Sequence, residues 1–202
     1  PRHQAITGYR HGVLGTVEPW VADTLADRGI LGTSILWFEA VDGVPRPPAD
    51  WRQDSLASVT VHDLPPTAGY LRDEHVRIRA ELGLLAQSEQ TERAQADAER
   101  AAWVEVLVEH GWLTRDVDLA TDAGLVEVTI ALHRAVGASP ARLVGIGLPD
   151  AVGDRRAQNQ PGTDQEYPNW RVPLCDEHGA AVLLEDVTAD PALLDDLVAA
   201  VG

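Results

Sequence analysis

Three short apolar runs, Thr33–Glu39, Val59–Asp63 and Arg142–Leu148, are separated along this chain by helical patterns. Strands alternating with helices form βα units, and βα units build parallel sheets, so the fold class is α/β. The first run reads as a strand buried on both faces, as in parallel sheets covered by helices. Glu18-Pro19 opens a helix that stops near Gly29, because proline suits a first turn and glycine a left-handed end. Asp42–Trp51 carries Pro45, Pro47 and Pro48 and reads as a loop. Thr67–Leu85 reads as helical and charged. A long helix follows over Ser88–His110, with Ser88 as its N-cap and Gly111 just past its end; Trp103, Val104, Leu107 and Val108 give its second half a packing face. Gly124–Val136 is amphipathic, Asp150–Trp170 reads as a long polar loop, and Asp190-Pro191 caps a last helix through Ala200. Three parallel strands leave apolar edges with no lysine or proline guarding them. That pattern fits a piece of a larger closed sheet such as a (β/α)₈ barrel, which takes about 250 residues.

The bulk properties exclude several classes of partner. The chain has 202 residues, of which 45% are hydrophobic and 24% charged, an ordinary globular composition, and a formal charge of −16. Nucleic acids and anionic membranes are recognised by clustered lysine and arginine, so neither is an expected partner. The single cysteine, Cys175, forbids an internal disulfide and a cysteine-only metal site, and the default setting is reducing and cytoplasmic. No apolar run approaches the roughly 20 residues needed to span a bilayer. The chain starts at Pro1 and contains no Met, which suggests a fragment of a longer protein. Residues 1–13, with Arg2, His3, Arg10 and His11 scattered without a period, read as an irregular start.

Chemistry concentrates in two places. Ser58-Val59-Thr60-Val61-His62-Asp63-Leu64-Pro65-Pro66 is an alternating run that ends in an imidazole and a carboxylate, and prolines then force a loop. The carboxyl ends of parallel strands are where α/β proteins bind ligands. Two roles are open for the pair: local capping and carbonyl bonding, or holding a polyhydroxyl ligand, since a carboxylate accepts from two hydroxyls and an imidazole N–H donates to one. Gln158-Asn159-Gln160-Pro161-Gly162-Thr163, followed by Tyr167-Pro168-Asn169-Trp170-Arg171, is turn-rich and dense in amides and aromatics; it is either a packed surface loop or a hydrogen-bonding rim. Trp37 and Phe38, as strand neighbours, would face opposite sides, one packing under a helix and the other free to form an apolar platform. His3 and His11 make a poor metal site. Gly145-Ile146-Gly147 lies within a strand, the wrong context for a dinucleotide fingerprint, and there is no Gly-x-Ser-x-Gly elbow.

Taken in order, Leu14-Gly15-Thr16-Val17-Glu18-Pro19, Ile35-Leu36-Trp37-Phe38-Glu39, Thr60-Val61-His62-Asp63-Leu64-Pro65, and Asn159–Thr163 with Tyr167–Arg171 resemble the amylomaltases, bacterial 4-α-glucanotransferases of the α-amylase superfamily. The resemblance runs over about residues 14–187. It implies a (β/α)₈ barrel of which this chain is the carboxyl-terminal portion, about the last three strands, with 14–202 as one partial-barrel unit behind an atypical start at 1–13. It also implies transfer of α-1,4-glucan segments between maltodextrins by a retaining mechanism, with a carboxylate nucleophile, a carboxylic acid/base, and no metal or organic cofactor. By the same resemblance Asp63 is a third carboxylate that stabilises the transition state. His62, Phe38 and Asn159 are substrate-binding.

The departures from the family pattern carry as much weight. The nucleophile of the family lies on a strand upstream of anything in this sequence. Its acid/base Glu sits in Gly-Glu-Asp-Leu-Gly, where this chain reads His11-Gly12-Val13-Leu14-Gly15, so Gly12 stands at the acid/base position. General acid catalysis contributes about 10²–10⁴-fold, and without the nucleophile no covalent route exists. The chain alone is therefore expected to lack transferase activity and, with open strand edges, to be poorly soluble or molten. A non-catalytic glucan-binding or degenerate fragment is the alternative reading, and an α-glucan hydrolase a further one.

Overall fold

The computed structural model describes residues 19–202. Gly12, the start over residues 1–13 and Glu18 lie outside the described residues. Helix α1 (Pro19–Asp27) leads into β1 (Gly32–Ile35), and a small hairpin pairs β2 (Ala40–Val41) with β3 (Val44–Pro45). Strand β4 (Ser55–Ser58) precedes four helices: α2 (Thr67–Leu71), α3 (Glu74–Glu81), α4 (Glu89–Glu109) and α5 (Asp122–Gly137). Strand β5 (Leu143–Gly145) is followed by a long loop, then α6 (Leu184–Ala189) and α7 (Ala192–Val201).

Strands β1, β4 and β5 form a parallel sheet in that order, as expected of βα units. Its register sets Ser34 beside Ala57 beside Val144, and Thr33 beside Leu56 beside Leu143. Side chains alternate across a sheet, so these two rows lie on opposite faces. The first row packs on the core: Ser34 and Ala57 are buried, and Val144 packs against the hydrophobic cluster. The second row is open, with Leu56 37% and Leu143 54% exposed. β1 is buried on both faces only at its end, where Ser34 and Ile35 are 3% and 6% exposed; at Leu56 and Leu143 the second face lies open among the described residues.

The middle strand is also displaced. Its ladder runs over Ser55–Ser58, and Val59, Thr60 and Val61 continue beyond it without strand pairing. Small residues make the pairing stretch: Ser55 is fully buried and its hydroxyl donates to the Arg52 carbonyl at 2.7 Å, while Val59 is buried by core packing. The apolar alternation that marks Val59–Asp63 thus reports burial and not hydrogen bonding. His62 and Asp63 sit in the turn that follows. Likewise β1 ends at Ile35, and Leu36–Phe38 form a 3₁₀ turn, so Trp37 and Phe38 do not alternate across a sheet.

The long helix matches its sequence signals. The Ser88 hydroxyl accepts from the Thr91 N–H at 3.2 Å, and Gly111 takes φ +68° beyond the C-terminus. Replacing Ser88 by alanine removes that acceptor, and the expected loss is about 1 kcal/mol, read as faster amide exchange confined to the first turn of α4. Thr67–Leu85 is two helices and not one: Asp73 adopts φ +58° between them, a conformation aspartate tolerates better than most residues, and its carboxylate pairs with Arg100 of α4 at 2.7 Å. The last helix starts at Ala192 after Pro191, without a cap bond from Asp190. Helix α6 was not expected; Asp186 holds its start by accepting from the Leu183 N–H at 2.8 Å.

Helix α5 covers the packed face of the sheet. Leu125, Val128, Leu132, Ala135 and Val136 recur at helical spacing and are buried against Ala57, Leu36, Trp103 and Leu107. Trp103 stands edge-on to Trp51, their ring centres 6.2 Å apart.

Candidate functional site

The carboxyl ends of β1, β4 and β5 lie side by side, and the segments that leave them carry the residues singled out above. Thr60 shapes the turn after β4, its hydroxyl donating to the Pro65 carbonyl at 2.8 Å. Pro65, Pro66, Thr67, Ala68 and Gly69 then run buried into α2. This anchoring leaves His62 exposed and Asp63 partly exposed at the surface, with side-chain exposures of 55% and 30%.

The loop after β5 is brought onto that turn. The Asn159 N–H donates to the His62 carbonyl at 3.1 Å, and the Asn159 side-chain amide donates to Asp63 Oδ1 at 2.7 Å. The His62 ring nitrogen Nε2 stands 3.3 Å from the same oxygen. One carboxylate oxygen is thus held by the Asn159 amide with the His62 ring beside it, while among the described residues Oδ2 has no hydrogen-bond partner. Asp63 is bonded to side chains and not buried against backbone amides, so it can accept from an incoming hydroxyl.

The loop is itself braced. Tyr167 donates its hydroxyl to the Ala157 carbonyl at 2.6 Å, the Gln160 N–H donates to Asn169 Oδ1 at 2.7 Å, and the Asn169 amide donates to Thr163 Oγ1 at 2.9 Å. Burial pushes the Tyr167 phenol above its ordinary range, which keeps it a donor at neutral pH. The Trp170 N–H donates to the Gln158 carbonyl at 2.9 Å, and its indole lies 4.9 Å from the His62 ring.

Phe38 leaves β1 at the same end of the sheet but does not join this cluster; it packs against the hydrophobic core. Trp37 is buried and stacks on Tyr70, ring centres 4.2 Å apart, and Tyr70 in turn stacks on His75 at 4.1 Å. Of the residues named from the sequence, the structure brings together His62, Asp63 and Asn159 and places Phe38 apart, against the core.

Two features were missed. Asp150, expected in a polar loop, is 2% exposed in a short 3₁₀ turn over Leu148–Val152. It accepts from the Thr67 N–H at 2.6 Å and the Thr67 hydroxyl at 2.8 Å, and His133 Nε2 lies 3.6 Å away. His133 Nδ1 is 2.8 Å from the Thr129 carbonyl and must carry a proton to bond it. Burial raises the carboxyl of Asp150, and the neighbouring His133 together with the two Thr67 bonds pulls the other way. This cluster ties the start of α2, just after the His62–Asp63 turn, to the loop that carries Asn159. The only sequence signal was a histidine on the apolar face of α5. The second feature is Gly69: a Cβ there would fall on the Arg155 carbonyl oxygen, so glycine lets α2 meet the same loop backbone to backbone.

Among the described residues no cluster of His, Cys, Asp and Glu could hold a metal ion, and no helix is long and apolar enough to cross a membrane.

The chain resembles proteins of known class. Over 182 residues it is 52% identical to the 4-alpha-glucanotransferase of Mycobacterium tuberculosis, an alignment that covers 88% of this chain and 25% of the relative. The crystal structure of amylomaltase from Corynebacterium glutamicum superposes with a TM-score of 0.84 at 42% identity, covering 93% of this chain and 28% of that one. Amylomaltase from Streptococcus agalactiae, solved in complex with acarbose, shares the fold with a TM-score of 0.57 at 16% identity, over 92% of this chain and 30% of its own. The chain thus spans about a quarter of the length of these relatives. Residues 13–177, which include the whole turn and loop described above, match the 4-alpha-glucanotransferase family, and the chain belongs to that family.

Proposed function

We propose that this chain forms the glucan-gripping quarter of a 4-α-glucanotransferase that moves α-1,4-glucan segments between maltodextrins. The observation that carries the reading is Asp63: one oxygen is fixed by Asn159 with the His62 ring 3.3 Å from it, and the other is free among the described residues to accept from sugar hydroxyls. In a retaining mechanism a carboxylate displaces the leaving O4 while an acid protonates it, and a sugar hydroxyl later displaces the enzyme carboxylate. Positive charge builds on the ring in both steps. Asp63 stabilises that charge and holds ring hydroxyls, His62 and Asn159 contribute further hydrogen bonds, and Phe38 lines the acceptor side.

The nucleophile and acid/base come from residues other than those described. The open positions Leu56 and Leu143, and a sheet that among the described residues has only three strands, support a further inference about the fold: residues 14–202 are a partial (β/α)₈ barrel, residues 1–13 are atypical, and further strands cover that face. The setting is cytoplasmic.

Two measurements test the reading. The chain binds maltoheptaose in calorimetry, and Asp63→Ala weakens binding about tenfold or more, the size of a lost charge-assisted hydrogen bond. Incubated alone with maltotriose it yields neither glucose nor longer maltodextrins. Equal affinity in Asp63→Ala would remove Asp63 from the site, and turnover of maltotriose would show that the chain carries its own nucleophile and acid.

A further inference from the structure

Trp170 combines three properties that its sequence position does not explain. Its backbone sits at φ +60°, in the left-handed region. Bulky side chains avoid that region, and residues held there against their preference cluster at binding sites. Its indole is 64% exposed, although a tryptophan of this size would ordinarily be tucked into a core. And the exposed ring stands 4.9 Å from the His62 ring, tilted by 43°, beside the cluster in which His62 Nε2 and the Asn159 amide converge on Asp63.

The strained conformation is built in by the loop. The Trp170 N–H is held by the Gln158 carbonyl at 2.9 Å, and the next residue in that strand of contacts, Asn159, donates to the His62 carbonyl at 3.1 Å. Asn169, immediately before Trp170, is clamped at both ends of its amide by the Gln160 N–H at 2.7 Å and Thr163 Oγ1 at 2.9 Å. The same short segment therefore fixes Asn159 on Asp63 and the indole beside His62. Relaxing the backbone at Trp170 would move both together.

A pyranose has an apolar face of C–H groups and a polar rim of hydroxyls. An exposed aromatic ring flanked by an imidazole, an amide and a carboxylate presents the complement of each. We infer that Trp170 is a binding residue of this site, an aromatic platform on which one glucosyl ring stacks while Asp63, His62 and Asn159 take its hydroxyls. This inference rests on the glucan reading above and adds to it a residue whose local strain is kept for binding.

The test uses the full 202-residue chain with maltoheptaose as probe, by calorimetry, on the wild type, Trp170→Gly and Trp170→Phe. Glycine adopts φ near +60° freely, so Trp170→Gly removes the ring while relieving the backbone. The expected result is binding by the wild type, affinity lower by about tenfold in Trp170→Gly, and near wild-type affinity in Trp170→Phe, with amide-exchange protection over residues 157–171 unchanged or higher in Trp170→Gly. Binding by Trp170→Gly equal to the wild type overturns the assignment and leaves the glucan reading standing. Loss of affinity together with lost protection across the loop overturns it in favour of a purely structural role. Phenylalanine binding as weakly as glycine, with the loop protected, overturns stacking as the mechanism. A wild type that does not bind maltoheptaose overturns the glucan reading, and the assignment of Trp170 falls with it.

Discussion

Replacing Asp150 by alanine is expected to release α2 from the loop that carries Asn159. Two buried donors lose their acceptor at once, the Thr67 N–H and the Thr67 hydroxyl, and His133 Nε2, 3.6 Å away, loses the carboxyl group beside it. Leaving two buried donors unsatisfied costs about 3–5 kcal/mol, because they cannot reach water. In amide exchange that is a fall in protection of about 10²–10⁴-fold over Thr67–Leu71 and the facing turns of α5. Asp150→Asn keeps the shape and an acceptor for the Thr67 N–H, and its loss is about 1–2 kcal/mol. Protection in Asp150→Ala equal to that of the wild type would show that the cluster does not join these elements.

Acidification is expected to loosen the packing around α3 before it affects the sheet. His75 is stacked on Tyr70 and its pKa is lowered from 6.5 to about 4, chiefly by burial, with Arg79 and Arg100 adding to the shift and Asp73 and Glu92 opposing it. Between those two values the unfolded chain binds a proton that the folded chain does not. Stability therefore rises with pH across this window, is fully present above about 6.5, and is lost as pH falls toward 4. At about 1.4 kcal/mol per pKa unit the effect is at most about 3.5 kcal/mol. Asp150 acts in the opposite sense: its raised carboxyl takes up a proton in the folded chain first, so lowering pH through its range favours the folded state. The near-ultraviolet circular dichroism of the Trp37–Tyr70–His75 stack should decline from pH 6.5 to pH 4 with the midpoint of a single proton, and His75→Gln should flatten that decline. A signal that stays level over this range in the wild type would remove His75 as the cause.

Local signals in the sequence were strongest where one residue settles one backbone choice. Ser88 and Gly111 bracket α4 because a hydroxyl and a positive φ are needed at its two ends, and both requirements are met within a few residues. Gly29 ends α1 for the same reason. The grouping of His62, Asp63 and Asn159 was also legible, through family motifs and through the rule that loops at the carboxyl ends of parallel strands converge. Phe38 was named through the family resemblance alone; the strand alternation expected of Trp37 and Phe38 is what the 3₁₀ turn replaces.

What the chain alone determined is its local chemistry: caps, turns, the α/β class and the residue types gathered after the strands, because propensity and side-chain hydrogen bonding act over a few residues. Only the tertiary structure decided where β4 pairs, which sheet face stays open, and how Asp150 reaches Thr67 across 83 positions of sequence. Those outcomes depend on which distant groups share a buried volume, and in that volume a carboxylate with partners is stable where an isolated one is not.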